Sequence, residues 1–540
     1  MRGAPGREEG ENMSMEVAGM EVTRRNFIAG AAFSGAAAAG IAAAAATAVT
    51  AAAVVAPEEA LATSSVTPKV DAATGEAVET MNYTEPYLLT LKPSTEMNVL
   101  WLAKEMCEGY VEYGPTPALG NRVEAVPYRF EGLRTSATPE GYDPDPEKNP
   151  ELEVCQLIAK LEGLEAGSVV YYRAVTVGSL GEEVGERYYF KTAPLPGGDF
   201  RFALLSDMQM KVRTKETIKV LGQADKDFIV FAGDMCNTPW KAGEWFNVEG
   251  CYEVEGEDDR GFFECLNQTS ENTHLLQFMP VFPCPGNHEF DDQRVCTDKE
   301  FAVDDSKWTW KVYMQMFRPL YPEQVYGVDG KRWYSVDYAD MHLCSLSVSR
   351  WNSWDGFEYP GWITKDDVSA DSAQVQWLVD DLKHCDARYR WVTQHWHMLN
   401  RGEDGYYPVS TAVEDPENPG ACIYPDGDNC WNVLRPIYEA YGVNAVNFGH
   451  SHVYERYYIN GVNYIEAASI GNNYRSTADP FHFSGNLPVR EENNFRSFMI
   501  VTVDECGMMG HGVQASVEVS DVETEVGYCG RVFEDFVIAE

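Results

Sequence analysis

The sequence predicts two domains, an all-β N-terminal sandwich followed by an α/β domain of four layers (αββα), in which two mixed sheets pack together between outer helices. Its 540 residues exceed what one ordinary hydrophobic core encloses. Short apolar or alternating runs separated by turns fill residues 86–193, which is typical of an all-β segment. From residue 200 onward, brief apolar runs alternate with helical patterns, which favours an α/β domain.

The first 62 residues have the anatomy of an export signal. Arg24 and Arg25 form a twin-arginine motif, and an Ala-rich run, residues 29–56, follows it and leads to Ala60-Leu61-Ala62. We therefore expect residues 1–62 to be a twin-arginine signal peptide and the protein to be secreted or held in the cell envelope. The alternative is a retained transmembrane anchor, because the run is long enough to span a membrane, although its Ala and Gly content makes it weakly hydrophobic.

The segment after the signal divides into a linker and the predicted sandwich. Residues 63–84 are rich in Thr, Ala, Ser and Glu without periodicity and are interpreted as a linker, and residues 85–195 as the β-domain. Four strands are expected there: 97–102, 109–113, 169–175 and 187–191. The stretch 161–173 resembles the last strands of a fibronectin type III-like domain. The acid-rich residues 138–153 are expected to form a solvated loop.

The composition describes an acidic globular protein. The formal net charge of −42 disfavours nucleic acid, because phosphate backbones are bound through Lys and Arg, and it also disfavours an anionic membrane surface. A phosphate site in such a chain needs local positive charge, which metal ions provide. Thirteen cysteines leave at least one unpaired within the chain. Cys422 and Cys430 flank an acidic loop and could form a disulfide in an oxidising compartment.

Several elements of the second domain are predicted from local patterns. Central strands are expected at 200–206, 228–232 and 280–284, where short apolar runs end in Gly or Pro. An amphipathic helix is expected at 372–384, with Asp371 as its N-cap. Two hairpins are expected: 334–338 with 342–347, and 454–459 with 462–467 across Asn460-Gly461.

Five polar motifs follow buried apolar runs in this domain. They contain Asp207, Asp234, the pair Asn287-His288, His395, and Gly449-His450-Ser451-His452. Each has a structural alternative: the aspartates as helix N-caps, Asn287 as a turn residue, and the last histidines as hydrogen-bonded strand ends. Five such motifs in this order favour a metal centre at the strand tips.

These motifs resemble those of the calcineurin-like metallophosphoesterases, and residues 449–456 are most similar to the purple acid phosphatase branch of that family. The resemblance covers roughly residues 85–505. It implies a metallophosphoesterase domain at residues 199–510, which leaves residues 511–540 as a C-terminal extension.

The resemblance also implies two divalent or trivalent metal ions (Fe, Mn or Zn) bridged by the carboxylate of Asp234. Metal one would be bound by Asp207, Asp234 and His452. Metal two would be bound by Asp234, Asn287, His395 and His450. Two cations about 3.5–4 Å apart lower the pKa of a shared water and hold the phosphoryl oxygens.

Two positions depart from the purple branch and concern metal one. Relatives place His two residues after the first Asp, or Tyr three residues after the bridging Asp, where this chain has Gln209 and Asn237. Without the tyrosinate that colours the branch, this protein is expected not to be purple. Gln209 offers metal one an amide oxygen, a harder ligand than imidazole, so we expect that ion to dissociate readily or to be Mn²⁺ or Fe²⁺. Asn237 is interpreted as a phosphate donor or a loop hydrogen bond.

Two further histidines are catalytic candidates. His288 matches the family position beside the leaving-group oxygen, where an imidazolium donates a proton. Its alternative role is a hydrogen bond that braces the loop. His397 stands where the purple branch often has Pro, and it could bind substrate phosphate or pack against Trp396.

The predicted function is therefore that of an exported binuclear-metal phosphomonoesterase, in which a metal-activated hydroxide attacks phosphorus. One alternative is a phosphodiesterase or nucleotide hydrolase that uses the same site, since the motifs do not encode the leaving group. Another is a non-catalytic metal- or phosphate-binding surface protein whose site has decayed at Gln209 and Asn237. The expected partner is a small phosphorylated substrate, with no nucleic acid and no stable membrane insertion if the signal is cleaved.

Overall fold

The computed structural model describes residues 80–135, 150–209, 214–237, 239–246, 261–267, 274–290, 309–322, 331–348, 368, 370–396, 413–414, 422–423, 430–467, 469–471, 489–492, 495–516 and 528–540. All of them lie in one compact unit, residues 52–540. The predicted signal, most of the linker, most of the acid-rich loop, the side chains of Cys422 and Cys430, and His397 lie outside the described residues. In the described part of the chain, no helix has the length and apolar character that a membrane span requires.

The N-terminal region is a β-domain of two antiparallel sheets. Its strands are β1 (Tyr87–Leu89), β2 (Glu96–Ala103), β3 (Glu108–Gly114), β4 (Asn121–Glu124), β5 (Val126–Phe130), β6 (Val154–Glu162), β7 (Val169–Gly178), β8 (Gly181–Val184) and β9 (Tyr188–Lys191). One sheet has the order β1-β2-β6-β5, and the other has β4-β3-β7-β8 with β9 also on β7. Alternate residues of β2, such as Val99 and Trp101, are buried in the core with Leu157 of β6. The expected β-rich N-terminal region is confirmed.

Buried hydrogen bonds join the β-domain to the second domain. The hydroxyl of Tyr87 donates to the carbonyl of Met316 at 2.8 Å, and the hydroxyl of Tyr172 donates to that of Gln277 at 2.8 Å. The Gln156 amide donates to the Gln315 carbonyl at 2.6 Å. Since buried polar groups are costly to leave unpaired, these contacts hold the two domains in one arrangement.

The second domain contains two mixed sheets. Its strands are β10 (Phe200–Leu205), β11 (Phe228–Ala232), β12 (Val281–Cys284), β13 (Tyr334–Tyr338), β14 (Met341–Ser345), β15 (Tyr389–Thr393), β16 (Val413–Glu414), β17 (Cys422–Ile423), β18 (Ala445–Phe448), β19 (Tyr454–Ile459), β20 (Val462–Ala467), β21 (Arg490–Glu492), β22 (Ser497–Asp504), β23 (Gly507–Ser516) and β24 (Tyr528–Ala539). The first sheet has the order β12-β11-β10-β22-β23-β24, and the second has β13-β14-β15-β18-β20-β19-β21. The predicted central strands and both predicted hairpins are present at these positions.

The two sheets pack face to face through aromatic side chains. Phe202 meets Trp391 edge-on with ring centroids 5.0 Å apart, and the ring centroids of Phe228 and Tyr338 are 4.3 Å apart. These rings come from opposite sheets and are almost completely buried, so they form the centre of the domain. The mixed two-sheet architecture predicted from the sequence is therefore confirmed.

Helices lie outside the sheets. They are α1 (Thr214–Gln223), α2 (Gly261–Leu266), α3 (Leu275–Phe278), α4 (Thr309–Met316), α5 (Ala373–His384) and α6 (Cys430–Ala440). Helix α5 packs Val375, Leu378 and Leu382 against the outer face of the second sheet. Its N-cap is Ser372 rather than the expected Asp371, because the Ser372 hydroxyl accepts a hydrogen bond from the backbone N–H of Val375 at 3.3 Å.

The C-terminal residues complete the first sheet. Strand β23 runs across the boundary expected at residue 510, and it pairs antiparallel with both β22 and β24. Residues 511–540 are therefore not an appendage beyond the α/β domain. The sequence pattern did not reveal this strand, because Arg531, Glu534 and Asp535 interrupt its apolar residues without a regular period.

Candidate metal centre

The residues predicted as ligands lie just beyond the carboxyl ends of three parallel strands of the first sheet and two parallel strands of the second. Asp207 follows β10, Asp234 follows β11, Asn287 follows β12, His395 follows β15 and His450 follows β18. Carboxyl ends of parallel strands meet at one edge of a sheet, so residues far apart in sequence converge there. All of them, and His452, are almost completely buried.

The converging side chains form two groups that share one residue. Asp207, Asp234 and His452 form the first group, and Asp234, His395 and His450 form the second; in each, the donor atoms lie within 4.8 Å of one another. Asp234 belongs to both: its Oδ1 lies 3.3 Å from His395 Nε2, and its Oδ2 accepts a hydrogen bond from the amide of Gln209. A bridging position of this kind suits a carboxylate, which has two anionic oxygens to share.

The second group includes an amide oxygen. Asn287 Oδ1 lies 3.0 Å from His395 Nε2 and 2.8 Å from His450 Nδ1. The other ring nitrogen of His395, Nδ1, donates to the carbonyl of Ala232 at 2.6 Å, which leaves Nε2 directed at the group. Trp396 stacks on the ring of His450 with centroids 4.2 Å apart. The imidazoles are thus oriented by groups outside the site.

The first group is held by the turn after β18. His452 Nε2 lies 3.2 Å from Asp207 Oδ1, and the backbone N–H of His450 donates to both carboxylate oxygens of Asp207 at 3.0 Å. The hydroxyl of Ser469 donates to the backbone carbonyl of Asp207 at 2.6 Å. These contacts fix the position of the Asp207 carboxylate beside Asp234.

Gln209 and Asn237 occupy different positions relative to this centre. The amide of Gln209 lies at the first group, where its Nε2 donates to Asp234 Oδ2 at 2.8 Å. The Asn237 side chain instead donates to the backbone carbonyl of Gln209 at 2.8 Å. Of the two interpretations offered for Asn237, this geometry corresponds to the loop hydrogen bond.

His288 borders the shared carboxylate. Its backbone N–H donates to Asp234 Oδ1 at 2.9 Å, and its Nε2 lies 3.9 Å from Asp234 Oδ2. Its Nδ1 donates to the carbonyl of Asn237 at 3.0 Å, because a carbonyl can only accept. The ring is therefore oriented with Nε2 toward the centre.

Backbone strain is concentrated at the ligands. Of the nine described non-glycine residues with positive φ, five are predicted ligands: Asp207, Gln209, Asp234, His450 and His452. Such conformations are rare for residues with a Cβ and persist only where the surroundings enforce them. The strain therefore marks the same residues that the motifs single out.

The glycines of two motifs are required by close approach. A Cβ at Gly449 would lie 2.6 Å from Asp207 Oδ2 and 2.9 Å from the carbonyl oxygen of Ala232. A Cβ at Gly286 would collide with the backbone and carboxylate of Asp234. Glycine at these positions lets three ligand loops meet.

Two buried glutamates organise the ligand loops, and the sequence analysis did not identify either role. Glu289 accepts hydrogen bonds from the backbone N–H groups of Asp234, Met235, Cys236 and Gly286. Glu466 accepts from the N–H of Ser451 at 3.0 Å and from its hydroxyl. Adjacency to His288 could have marked Glu289, whereas Glu466 in β20 has no motif beside it.

The centre concentrates negative charge away from water. Burial opposes ionisation of Asp234, but His395 and His288 outweigh it and hold the pKa of that carboxyl below its usual range. Burial likewise opposes the imidazolium of His395, yet Asp234 raises its pKa to about 10. Burial and Asp234 together raise the pKa of Glu289 to about 7. Buried carboxylates, imidazoles and an amide oxygen are a donor set that fits first-row metal ions.

Comparisons with known proteins agree with this geometry. Residues 200–454 match the family model described as calcineurin-like phosphoesterase. Purple acid phosphatase 18 of Arabidopsis thaliana is 24% identical over 294 residues, which cover 54% of this chain and 51% of that protein. Purple acid phosphatase 1 of Ipomoea batatas is 24% identical over 302 residues, which cover 55% of this chain and 50% of that protein. The chain thus matches about half the length of these relatives.

Two solved structures share the fold at low sequence identity. The yellow lupin (Lupinus luteus) purple acid phosphatase PPD1 superposes with a TM-score of 0.56 at 17% identity and covers 85% of this chain and 75% of its own. The structure of PhoD superposes with a TM-score of 0.54 at 14% identity, and the match covers 84% of this chain and 90% of PhoD.

Proposed function

We propose that this chain, whose residues 200–454 belong to the calcineurin-like phosphoesterase family, is an exported binuclear-metal phosphomonoesterase. The family uses a dinuclear metal centre, and the purple acid phosphatase relatives support a metal-dependent phosphatase. The observation that carries the proposal is the pair of ligand groups that share the buried carboxylate of Asp234.

The ligand assignment follows these groups. We propose that metal one is bound by Asp207, Asp234 and His452, with Gln209 as a further ligand. Metal two takes Asp234, Asn287, His395 and His450. The position of the Gln209 side chain supports this role. Its amide nitrogen lies beside Asp234, and rotating the amide by 180° would place the amide oxygen there instead.

When bound, such a pair of cations lowers the pKa of a shared water and neutralises phosphoryl oxygens. The protein's own contribution is position and proton transfer. His288 directs Nε2 toward the centre while Nδ1 is held by a backbone carbonyl, so as an imidazolium it can donate the Nε2 proton to a leaving alkoxide. Asn237 aligns this ring through its carbonyl and does not itself touch the reacting groups in our proposal.

The remaining parts of the chain have supporting roles. We propose that residues 1–62 are a twin-arginine signal that directs a folded protein across the membrane, and that residues 85–195 are a fibronectin type III-like domain. Export of a folded chain suits a protein that binds its metals before crossing. Cleavage can be tested by mass spectrometry of the exported protein, with Arg24→Lys/Arg25→Lys as the transport-defective control.

The proposal is tested with the metal-depleted full chain, supplied with Mn²⁺, Fe²⁺ or Zn²⁺ and two chromogenic substrates. Hydrolysis of p-nitrophenyl phosphate well above that of bis(p-nitrophenyl) phosphate supports a phosphomonoesterase. The reverse preference would identify a phosphodiesterase. Metal binding without turnover of either ester would indicate a binding protein and overturn the proposal.

A further inference from the structure

A second cluster of metal-ligating side chains lies on the outer face of the second sheet, which helix α5 covers. His342 and Cys344 are two residues apart in β14 and point to the same side, toward α5, which supplies Asp381. The next residue, Ser345, points the opposite way and donates to the carbonyl of Pro283 in the first sheet. The cluster is therefore on the helix-covered face, whereas Asp234 and its neighbours lie at the strand tips.

The donor atoms of this cluster are close enough for a single ion. His342 Nε2 lies 2.9 Å from Asp381 Oδ2, and Cys344 Sγ lies 3.5 Å from the same oxygen. All three donors fall within 4.8 Å of one another. Tetrahedral zinc with bonds of about 2.0–2.3 Å separates its ligand atoms by about 3.3–3.8 Å, so small side-chain shifts would admit the ion.

Surrounding groups orient two of the three donors, His342 and Asp381, as ligands are oriented in metal sites. The carboxylate of Asp337, directly opposite His342 on β13, accepts from His342 Nδ1 at 2.7 Å, which leaves Nε2 facing the cluster. Metal-bound histidines characteristically make this carboxylate contact with their second nitrogen. Ser335, opposite Cys344, donates to the other oxygen of Asp381 at 3.2 Å.

We propose that His342, Cys344 and Asp381 form a third metal site, distinct from the catalytic pair, that binds Zn²⁺. A thiolate, an imidazole and a carboxylate suit zinc, whereas the catalytic groups offer oxygen and nitrogen donors without sulfur. Asp381 has 21% of its side chain exposed, which gives the ion a path from solvent. A water would be the fourth ligand.

The bound ion would tie α5 to the hairpin of β13 and β14. Without metal, His342 lies between the carboxylates of Asp337 and Asp381, and the Cys344 thiol is neutral because burial raises its pKa to about 11. Zinc replaces the proton on Nε2 and the proton on sulfur, as metal ions do when they bind protonated ligands. The predicted role is structural.

The test uses Co²⁺ as a spectroscopic probe added to the metal-depleted full chain. Coordination of a thiolate to Co²⁺ gives a charge-transfer absorption in the near ultraviolet, and the proposed catalytic ligands include no cysteine. We expect three equivalents of Co²⁺ to bind and this absorption to accompany one of them. Two equivalents without the absorption would overturn the proposal.

Matched variants assign the signal to one thiol. Cys344→Ser should lose the absorption and one equivalent, while Asp234→Ala should keep the absorption and lose the other two. Cys236, whose sulfur lies 3.7 Å from Glu289 Oε1 in a catalytic loop, is the control thiol. If Cys236→Ser removes the absorption instead, the thiolate belongs to the catalytic centre and the third site is refuted.

A milder change covers the case in which Cys344→Ser does not fold. Asp381→Asn, at a partly exposed helix position, keeps the thiol and should raise the Co²⁺ concentration at half-saturation of the absorption by at least tenfold. An unchanged half-saturation concentration would exclude Asp381 as a ligand and contradict the proposed site.

Discussion

Replacing Gly449 with Ala tests whether the geometry of metal one depends on close packing of the ligand loops. The added Cβ would lie 2.6 Å from Asp207 Oδ2, 2.9 Å from the Ala232 carbonyl oxygen and 2.9 Å from the Cβ of Ser206. Ala232 ends β11 and Ser206 directly follows β10, so these two neighbours can give by only a few tenths of an ångström. The Asp207 carboxylate is the closest neighbour and the end of a side chain, so it moves furthest.

The size of the displacement follows from the contact distances. An ordinary carbon–oxygen contact begins near 3.4 Å, so Asp207 Oδ2 would retreat by about 0.8 Å. Metal–ligand distances tolerate about 0.2 Å, and overpacking of this kind costs about 1–3 kcal/mol. We expect metal one to bind at least 10–100-fold more weakly, because a ligand itself is moved, while metal two is retained.

Calorimetric titration of the metal-depleted variant with Mn²⁺ measures both affinities, and thermal unfolding measures stability. Gly461→Ala is the matched control, since a Cβ there meets nothing within 4 Å. Its positive φ predicts a stability loss of about 1–2 kcal/mol without any change in metal binding. If Gly449→Ala binds both ions as tightly as the unmodified protein does, the steric account of metal one is refuted.

Four further outcomes are expected. Asp234→Ala should remove both ions of the catalytic pair and turnover, measured by ester hydrolysis and by metal analysis in the Cys344→Ser background, and retention of either catalytic ion would contradict a bridging role. His288→Ala should lower kcat with metal content unchanged, most for esters with poor leaving groups; loss of metal would instead assign it a structural role. Gln209→His should tighten metal one and favour Zn²⁺, whereas two equally tight binding steps in the unmodified protein would count against Gln209 as the weak ligand. Without metal, Glu289, whose pKa is raised to about 7, binds a proton in the folded state that the unfolded chain releases above about pH 4.5. The free energy of unfolding should therefore fall as pH rises through this window in urea titrations, and a flat profile, or one that Glu289→Gln leaves unchanged, would contradict this.

Local patterns predicted the elements that depend on neighbours in sequence. The turn at Asn460-Gly461 has positive φ at both residues, which those residue types favour, so the hairpin could be located to the residue. The strand-tip motifs were recognisable because apolar runs precede them and because each contains a metal-ligating residue type. Asp371 was mistaken for an N-cap because neighbouring Asp and Ser both favour that position.

The roles of side chains that contact residues distant in sequence could not be predicted from local patterns. Glu466 is one polar residue in a strand, and its role appears only when the turn containing Ser451 is placed beside it. His342 and Cys344 lie in an ordinary strand pattern, and Asp381 reaches them only through the packing of α5. Sequence separation, more than residue type, limited the prediction.

The strained ligands are held in place by hydrogen bonds between the ligand loops. A left-handed conformation costs about 1–2 kcal/mol for a residue with a Cβ, and five predicted ligands adopt it. Hydrogen bonds that need no metal hold the loops: Asp207 N–H donates to the Gly233 carbonyl, Gln209 N–H to the Asp234 carbonyl, and Glu289 receives four backbone N–H groups. These hydrogen bonds offset the conformational cost of the ligands, because they join the loops of Asp207, Asp234 and Asn287 to one another.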